Sequence, residues 1–336
     1  MTVSIIIPVF QVASYIEACL NSVICQTYAG SMECLLVDDC GSDNSIAIAE
    51  KMIAAYDGPV RFKILRHGKN QGISTARNTG TDAATGDYVF YLDSDDELTC
   101  DCIEKLVKPV MNDTSIEIVM GNYTILSDGY PISAFERPVQ MHQEDLKSTE
   151  AVRDYYFNKR GIYVYAWNKL IKKEFLVRHQ LYFKDGLLWE DYLWTFFVVK
   201  YLNHLYTIPN VIYKYYKRPH SITTRANRKE KAHYMGLTYA EIANNFTIKE
   251  SGREAKRFVK GFCYCYFENP KSYVLLQASR QYMKALVDNH YIKEQFLLRT
   301  TVFLSNFALG KSVLRLAAKA MERLIVHRKS NHINIL

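Results

Sequence analysis

The first hundred residues alternate between short apolar runs and longer stretches with helical spacing, and this alternation restricts the fold more than any other feature. The apolar runs typical of strands are residues 3–7, 34–37, 62–65 and 88–92. The stretches with helical spacing lie between them, at residues 13–25, 45–56 and 72–84. This β-α-β-α-β-α-β order predicts an α/β fold with a mostly parallel, Rossmann-like sheet flanked by helices.

Acidic side chains stand where two of the predicted strands end. The run 88–92 is followed directly by Asp93, Ser94, Asp95, Asp96 and Glu97. The second predicted strand ends in Asp38 and Asp39. Ligands of open parallel sheets bind beyond the carboxyl ends of the strands, and clustered carboxylates repel one another, so a hard divalent cation with phosphate oxygens would suit this edge. The alternative is a solvated acidic turn that only closes a strand.

Length and composition restrict the class of protein. The chain has 336 residues, 49% of them hydrophobic, which suits one large domain with an appendage or two domains. Its eight cysteines show no paired zinc spacing and are expected to be reduced thiols. The first predicted strand begins at residue 3 and leaves no room for a leader, so we expect a cytoplasmic protein. The sequence contains no uninterrupted apolar run of about 18 residues, so it does not predict a membrane-spanning helix.

The carboxyl-terminal third carries the basic charge of the chain. From Ala226 to Leu336 there are 19 Lys and Arg against 8 Asp and Glu, whereas the whole chain has a net charge of +7. We therefore predict a catalytic domain at 1–225 and a basic helical region at 226–336. Lys311, Arg315 and the basic residues at four-residue steps after them predict a basic amphipathic helix. It would lie on an anionic membrane surface or pack on the catalytic domain; no nucleic-acid-binding motif accompanies the charge.

The middle of the chain adds further predicted elements. A helix is predicted at 102–111, a strand at 116–120 and another strand at 211–215. The segment 166–170 is interpreted as the start of a helix.

Six motifs in a fixed order resemble those of inverting family 2 glycosyltransferases with the A-type nucleotide-sugar fold, of the type that builds bacterial surface polysaccharides. They are residues 4–10, 36–39, 72–78 with Gly80, 92–96, 167–170, and the pair Glu190 and Asp191. The resemblance covers residues 1 to about 225. This chain departs from the pattern at Gln11, where the family usually has Asn, and at Cys40, where it often has Gly. Both departures affect the shape of turns near the nucleotide more than the chemistry.

The resemblance implies roles on the donor side of the site. Asp39 would accept a hydrogen bond from a uracil base, Asp93 would face the ribose or the donor sugar, and Asp95 would hold Mg²⁺ or Mn²⁺ between the two phosphates. The other residues assigned to the nucleotide are Pro8, Phe10, Ser94 and Arg77, the last of which could instead meet an acidic partner. His220 is a second candidate metal ligand, and Asp96 would either contact the metal or anchor the turn.

The resemblance also implies the catalytic and acceptor-side residues. Asp191 would be the general base that takes the proton of the attacking hydroxyl, with Glu190 as the second candidate. Trp167 would be either a platform for a sugar ring or a core residue, and Lys169 and Arg218 would contact substrate.

These expectations combine into a metal-dependent, inverting glycosyltransferase. It would move a hexose or N-acetylhexosamine from a UDP-sugar to a saccharide acceptor, which we expect to be lipid-linked at the inner face of the cell membrane. One alternative is a sugar nucleotidyltransferase, which predicts a Gly-rich, basic loop after the first strand that residues 8–13 lack. The other is a catalytically silent carbohydrate-binding protein, which would leave Asp191 far from Asp95.

Overall fold

The fold is described from a computed structural model. It covers residues 1–127, 129, 132, 137–157, 159–218, 221 and 228–245. The candidate metal ligand His220 and the predicted basic helix from Lys311 onwards lie outside these described residues. The chain divides into two units, of which the first comprises Met1–Gly186 and Glu190–Arg225. The described residues of the second unit are 187–189 and 228–245.

The first unit is built on one sheet. In chain order the described strands are β1 Thr2–Val9, β2 Ser31–Asp38, β3 Arg61–Arg66, β4 Tyr88–Tyr91, β5 Glu97–Leu98, β6 Ile118–Ser127, β7 Glu144–Leu146, β8 Lys169–Lys172 and β9 Leu205–Lys217. Their order across the sheet is β3-β2-β1-β4-β8-β6-β9-β5, and β7 pairs with β9. The strands β3, β2, β1 and β4 are parallel, and β6 is parallel to β9.

Helices connect the strands of this sheet. The described helices of the first unit are α1 Ile16–Ile24, α2 Ser45–Ala54, α3 Ile73–Ala83, α4 Cys102–Asn112, α5 Thr149–Phe157, α6 Lys173–Arg178 and α7 Glu190–Tyr201. The alternation predicted for the first hundred residues is confirmed: each predicted strand and helix is present within a few residues of its expected bounds. The predicted α/β class with parallel strands and flanking helices is confirmed as well.

The first strand is buried on both faces because helices cover the sheet. Ile5, Ile6 and Ile7 have no exposed surface, which explains why β1 is a continuous apolar run and does not alternate. Helix α3 packs against this strand through Gly80, where an added Cβ would lie 2.3 Å from Cγ2 of Ile6. Only glycine allows this close approach, so the packing explains why the third motif includes Gly80.

The helix start expected at 166–170 is wrong. This segment enters the sheet as β8, antiparallel to both β4 and β6. Asn168 has a φ of 62°, which ends any helical path, and its amide donates a hydrogen bond of 2.8 Å to the carbonyl oxygen of Gly121. The Gly121 N–H donates in turn to the Asn168 carbonyl at 3.1 Å. These two bonds fix the segment beside β6, an outcome that local spacing did not indicate.

The described part of the second unit contains one helix, α8, at Arg228–Asn244. Within this unit the ring of Trp189 lies 6.4 Å from that of Tyr234. None of the helices described is both long and apolar enough to cross a membrane.

Candidate active site

The candidate site lies where β1, β2 and β4 end, in the first unit. Pro8 is buried near the end of β1, opposite Val37 of β2, and Phe10 just beyond the strand is 41% exposed. Asp39 follows β2, and Asp93 follows β4 after Leu92. The sheet therefore places residues of three motifs that are predicted to bind the donor along one edge, as expected for parallel strands.

Asp39 holds the loop that precedes α3. Its carboxylate accepts hydrogen bonds of 2.8 Å from the backbone N–H groups of Gln71 and Gly72, and Nδ1 of His67 lies 2.7 Å from Oδ1. The other ring nitrogen of His67 lies 3.0 Å from the hydroxyl of Thr79. A carboxylate oxygen accepts two hydrogen bonds, so Oδ2 of Asp39 retains capacity for one more donor. The predicted contact with a base N–H is therefore compatible with these bonds and stays a prediction.

The two departures from the family pattern both occupy unusual backbone conformations. Gln11, in the turn after β1, has a φ of 54°, and Cys40, in the turn after β2, has a φ of 60°. Asn and Gly adopt such left-handed conformations more readily than Gln and Cys. The two turns contact each other, because Nε2 of Gln11 donates to the Ser42 hydroxyl at 3.3 Å and the Ala13 N–H donates to Asp43 at 2.8 Å. These bonds hold the two turns together although each contains a residue in the left-handed region.

Arg77 of α3 joins the two acidic parts of the site. One guanidinium nitrogen donates to Asp93 at 2.7 Å and the other donates to Glu190 at the start of α7. The Arg77 and Glu190 side chains are only 3% and 6% exposed, and the guanidinium carbon lies 5.2 Å from the ring centre of Phe183. Burial alone would lower the pKa of Arg77, but the carboxylates of Asp93 and Glu190 raise it above its ordinary value. Arg77 is therefore a permanent cation between two carboxylates.

The residues around Arg77 on α3 hold the segment that leads to α7. The Asn78 side chain donates to the Phe183 carbonyl at 2.8 Å and accepts from the Phe183 N–H at 2.9 Å. The Thr75 hydroxyl donates to Asp185 at 2.8 Å. One short motif on α3 thereby positions a segment that lies more than a hundred residues further along the chain.

Asp191 stands beside this ion pair without being part of it. It receives no hydrogen bond from any of the described residues, whereas its neighbour Glu190 is bound to Arg77. Burial, reinforced by the adjacent Glu190 carboxylate, raises the pKa of Asp191 to about 7. A carboxyl group with a pKa near neutrality and no hydrogen-bond donor among the described residues is suited to accept a proton.

Lys169 of β8 lies within electrostatic range of Asp191. Burial lowers the pKa of Lys169 to about 7, although the Asp191 charge partly opposes this. Its ammonium donates to the carbonyl of Tyr165 and to the side-chain oxygen of Asn168, the latter at 3.1 Å. The ammonium of this 2% exposed residue is thus held by the protein, and the substrate contact expected for Lys169 stays a prediction.

The acidic turn after β4 divides into carboxylates with different tasks. Asp96 is 1% exposed and accepts two hydrogen bonds of 2.7 Å, from the Tyr213 hydroxyl and the Tyr216 N–H. Of the two alternatives for Asp96, the structure therefore favours the anchor of the turn. Asp95 accepts a hydrogen bond of 2.5 Å from Nε of Arg218. Burial raises the pKa of Asp95, and the Arg218 charge opposes this.

Of the alternatives for Trp167, the structure shows burial in the core. The indole is 3% exposed and stacks on the rings of Tyr165 and Tyr213, at centroid distances of 4.3 and 4.4 Å. No ring face remains exposed for a sugar. Ser94 is also buried, at 5% exposure.

The acidic turn fits a divalent cation only in part. Within the described residues no three His, Cys, Asp or Glu side chains form a group that could hold a metal ion. The Asp93 and Asp95 side chains are 22% and 21% exposed, and Asp95 already bears a cationic partner. Mg²⁺ and Mn²⁺ often take one or two carboxylates from the protein and complete their coordination with substrate phosphates and water. The donor set is therefore compatible with a cation that arrives together with a diphosphate.

Several residues of this site were not assigned a role from the sequence. His67 is an isolated histidine in a loop, and nothing in its neighbourhood signals that it supports Asp39. Asn78 belongs to the third motif, which could have drawn attention to it. Tyr213 lies in an apolar strand where a tyrosine ordinarily indicates core packing, so its hydrogen bond to Asp96 has no local signal.

This geometry agrees with comparisons to known proteins. A profile described as "Glycosyl transferase family 2" matches residues 4–182, more than half of the 336 residues. The chain therefore belongs to glycosyl transferase family 2 and is a transferase.

Two relatives illustrate how far the similarity extends. The chain is 30% identical over 193 residues to glycosyltransferase GlyA of Streptococcus pneumoniae, a match that covers 56% of this chain and 27% of GlyA. It is 28% identical over 246 residues to glycosyltransferase YibD of Escherichia coli, with 70% of this chain and 68% of YibD covered. The chain thus matches only about a quarter of the length of GlyA.

Two solved structures share the fold. TarS 1–349 of S. aureus, in complex with UDP-GlcNAc, superposes with a TM-score of 0.62 at 20% identity, over 99% of this chain and 92% of TarS 1–349. The mannosyltransferase PcManGT of Pyrobaculum calidifontis, in complex with GDP-Man and Mn²⁺, gives a TM-score of 0.55 at 18% identity. The superposition covers 95% of this chain and 86% of PcManGT. At these identities the likeness shows the fold alone.

Proposed function

We propose that this transferase moves a hexose or N-acetylhexosamine from a UDP-sugar to a saccharide acceptor, with inversion and with a divalent cation, in surface or capsular polysaccharide synthesis. The observation that carries the proposal is the buried contact of Arg77 with both Asp93 and Glu190. It connects a donor-side carboxylate to the helix start that bears Asp191. A donor and an attacking hydroxyl would meet across this connection.

The donor side accounts for the choice of a UDP-sugar. Asp39 has one remaining acceptor position, on Oδ2, and a uracil ring presents an N–H group that could fill it. Asp93, fixed in orientation by Arg77, would receive hydroxyls of the ribose or the sugar. The family's nucleotide-binding pattern and the UDP-GlcNAc bound to TarS support this assignment.

The acceptor side accounts for inversion. Asp191 would accept the proton of the acceptor hydroxyl while the oxygen attacks the anomeric carbon, so that an α-linked donor gives a β-linked product. Arg77 keeps Glu190 paired, whereas Asp191 receives no hydrogen bond from the part of the chain that the structure describes. A base with a pKa of about 7 is poised at neutral pH.

The departing UDP requires charge compensation. Asp95 would hold the divalent cation, with His220 a further candidate, and the bound cation would stabilise the negative charge of the departing diphosphate. Arg218, which pairs with Asp95, would add a second positive charge beside the phosphates. The Mn²⁺ bound to PcManGT supports the choice of metal.

The tail supports a proposal about the acceptor. Residues 1–225 would form the catalytic domain, and the basic residues 226–336 would associate with an anionic membrane surface, which suits a lipid-linked acceptor at the inner face of the cell membrane. Flotation with anionic liposomes, lost on truncation before Thr300, tests this. Flotation that persists in the truncated protein would contradict it.

Donor and metal are tested together by thermal unfolding with a panel of UDP- and GDP-sugars, with Mn²⁺ or with EDTA. We expect one UDP-sugar to stabilise the protein only with Mn²⁺, by about 2.7 kcal/mol at a hundredfold excess over Kd. The Asp95→Asn variant should lose the part of the stabilisation that depends on Mn²⁺. The control, Asp57→Asn, alters an exposed carboxylate between α2 and β3 and should respond like the wild type.

Different outcomes contradict different parts of the proposal. Preference for a GDP-sugar would exclude uracil recognition, and equal stabilisation in EDTA would exclude the metal. The absence of stabilisation by any nucleotide sugar would overturn the assignment of the site. The anomeric configuration of the product, measured by NMR, tests inversion.

A further inference from the structure

We propose that Tyr213 is a positioning residue that sets the geometry of the acidic turn for the cation and the diphosphate. The inference rests on the proposed function, because it concerns how that site is held. Tyr213 lies in β9 and has no exposed surface, so it does not itself reach substrate.

The hydroxyl of Tyr213 bridges both ends of the turn. It donates to Oδ2 of Asp96 at 2.7 Å and accepts from the N–H of Asp93 at 3.2 Å. The Asp96 N–H also donates to the Asp93 carbonyl at 3.0 Å, which closes the turn. One hydroxyl therefore fixes Asp93 and Asp96, the two residues on either side of Ser94 and Asp95.

The turn needs this support because its carboxylates repel one another. Asp96 has two hydrogen-bond donors, the Tyr213 hydroxyl and the Tyr216 N–H, and both come from β9. Without the hydroxyl, Oδ2 would be buried without its donor, and a change in the turn would relieve this.

The ring of Tyr213 is fixed by aromatic contacts, in addition to the hydrogen bonds of its hydroxyl. Trp167 stacks on it at 4.4 Å with an interplanar angle of 11°, and Phe90 of β4 lies 6.5 Å away. Trp167 in turn stacks on Tyr165. This aromatic stack gives the buried Trp167 a role at the site: it fixes the ring whose hydroxyl holds Asp93 and Asp96.

The test is Tyr213→Phe, which removes the hydroxyl and keeps the stack. We expect the Mn²⁺ concentration for half-maximal UDP binding, measured by isothermal titration calorimetry, to rise about tenfold. We expect kcat to fall by a similar factor and KM for the acceptor to stay within twofold. A purely structural role would lower the unfolding temperature without changing the Mn²⁺ requirement.

Tyr88→Phe is the matched control. Tyr88 is also buried in the sheet, and its hydroxyl donates to the Ile116 carbonyl at 3.1 Å, at the other end of β4. We expect a similar loss of stability and an unchanged Mn²⁺ requirement. If Tyr213→Phe and Tyr88→Phe change the Mn²⁺ requirement equally, the inference is overturned.

A double variant covers the case in which Tyr213→Phe does not fold. Tyr213→Phe removes the hydroxyl that donates to Asp96, and Asp96→Asn replaces the carboxylate left without this donor by a neutral amide. The amide oxygen can still accept from the Tyr216 N–H. We expect this variant to fold and to retain the raised Mn²⁺ requirement; a wild-type requirement would contradict the inference. Wild-type protein that binds no UDP with Mn²⁺ would instead refute the proposed function.

Discussion

Arg77 and Glu190 form a buried ion pair although 113 residues separate them in the chain. The same guanidinium binds Asp93, 16 residues away. The donor-side turn and the start of α7 are therefore held by one side chain. A buried cation between two carboxylates is costly to disturb, because removing one partner leaves a charge without compensation.

We expect Arg77→Lys to lower both stability and activity. An ammonium lacks the planar fork that reaches two carboxylates, so one of Asp93 and Glu190 would lose its partner. The free energy of unfolding in urea should fall by about 3 kcal/mol, and kcat should fall more than tenfold. The control is Arg66→Lys, since the Arg66 side chain is 52% exposed and its ion pairs are at the surface. Equal effects of the two variants on stability and kcat would show that the planar guanidinium of Arg77 is not required.

Replacing the proposed base should separate binding from chemistry. Asp191→Asn removes the proton acceptor but keeps the shape of the side chain, so we expect kcat to fall by about 10²- to 10⁴-fold. The Kd for UDP with Mn²⁺ should stay within threefold. Asp57→Asn, which alters an exposed carboxylate between α2 and β3, is the control and should retain most of the activity. Wild-type turnover by Asp191→Asn would exclude this residue as the base.

Activity and stability should respond to pH in opposite directions around Asp191. Burial raises its pKa in the folded protein to about 7, from 3.8 for an ordinary Asp. Between these values the folded state binds a proton that the unfolded state has lost, so the Asp191 contribution to stability is present at low pH and is lost as the pH rises to about 7. The rate should rise over the same range, because the base must be ionised.

The measurement compares kcat and urea midpoints from pH 5 to 8 in wild type and Asp191→Asn. The wild-type minus variant difference in unfolding free energy should decrease as the pH rises. A difference that is constant with pH would contradict the raised pKa.

The strained turns offer a way to stabilise the protein. Gln11→Asn and Cys40→Gly place residues that tolerate left-handed backbone at φ values of 54° and 60°. We expect each to raise the free energy of unfolding by about 0.5–1 kcal/mol. Cys25→Gly is the control, since Cys25 has a φ of −82°, where glycine relieves no strain, adds backbone freedom and removes the thiol contact with the Ser22 carbonyl. The prediction fails if Cys40→Gly destabilises the protein as much as Cys25→Gly does.

Local patterns were sufficient for the first half of the sheet because its strands are continuous apolar runs separated by helices of ordinary length. They were insufficient for β8, because Asn168 enters the sheet through bonds to Gly121, 47 residues away. The acidic turn, too, was predicted only in part by local patterns. Its position follows from the end of β4, but the assignment of Asp96 as an anchor depends on Tyr213 and Tyr216 of β9.

The carboxylates also show what a sequence pattern leaves open. The strand ends predict that Asp39 and Asp93 lie at one edge of the sheet, and the family resemblance implies a donor-side role for both. The sequence did not indicate that Asp39 also accepts two backbone N–H groups, or that Arg77 binds two acidic partners at once. Such contacts join residues distant in the chain, so only the folded arrangement determines them.

The contact of Arg77 with Glu190 determines where the chain can be truncated. The family profile ends at residue 182, before Glu190. A fragment cut at that border would keep Asp93 but lose the second carboxylate and the start of α7, leaving part of a buried guanidinium without a partner. During synthesis, the same holds for every nascent chain that has not yet reached residue 190. The two ion pairs of Arg77 would therefore be completed only after Glu190 emerges from the ribosome, which makes the family border a poor place to truncate this protein.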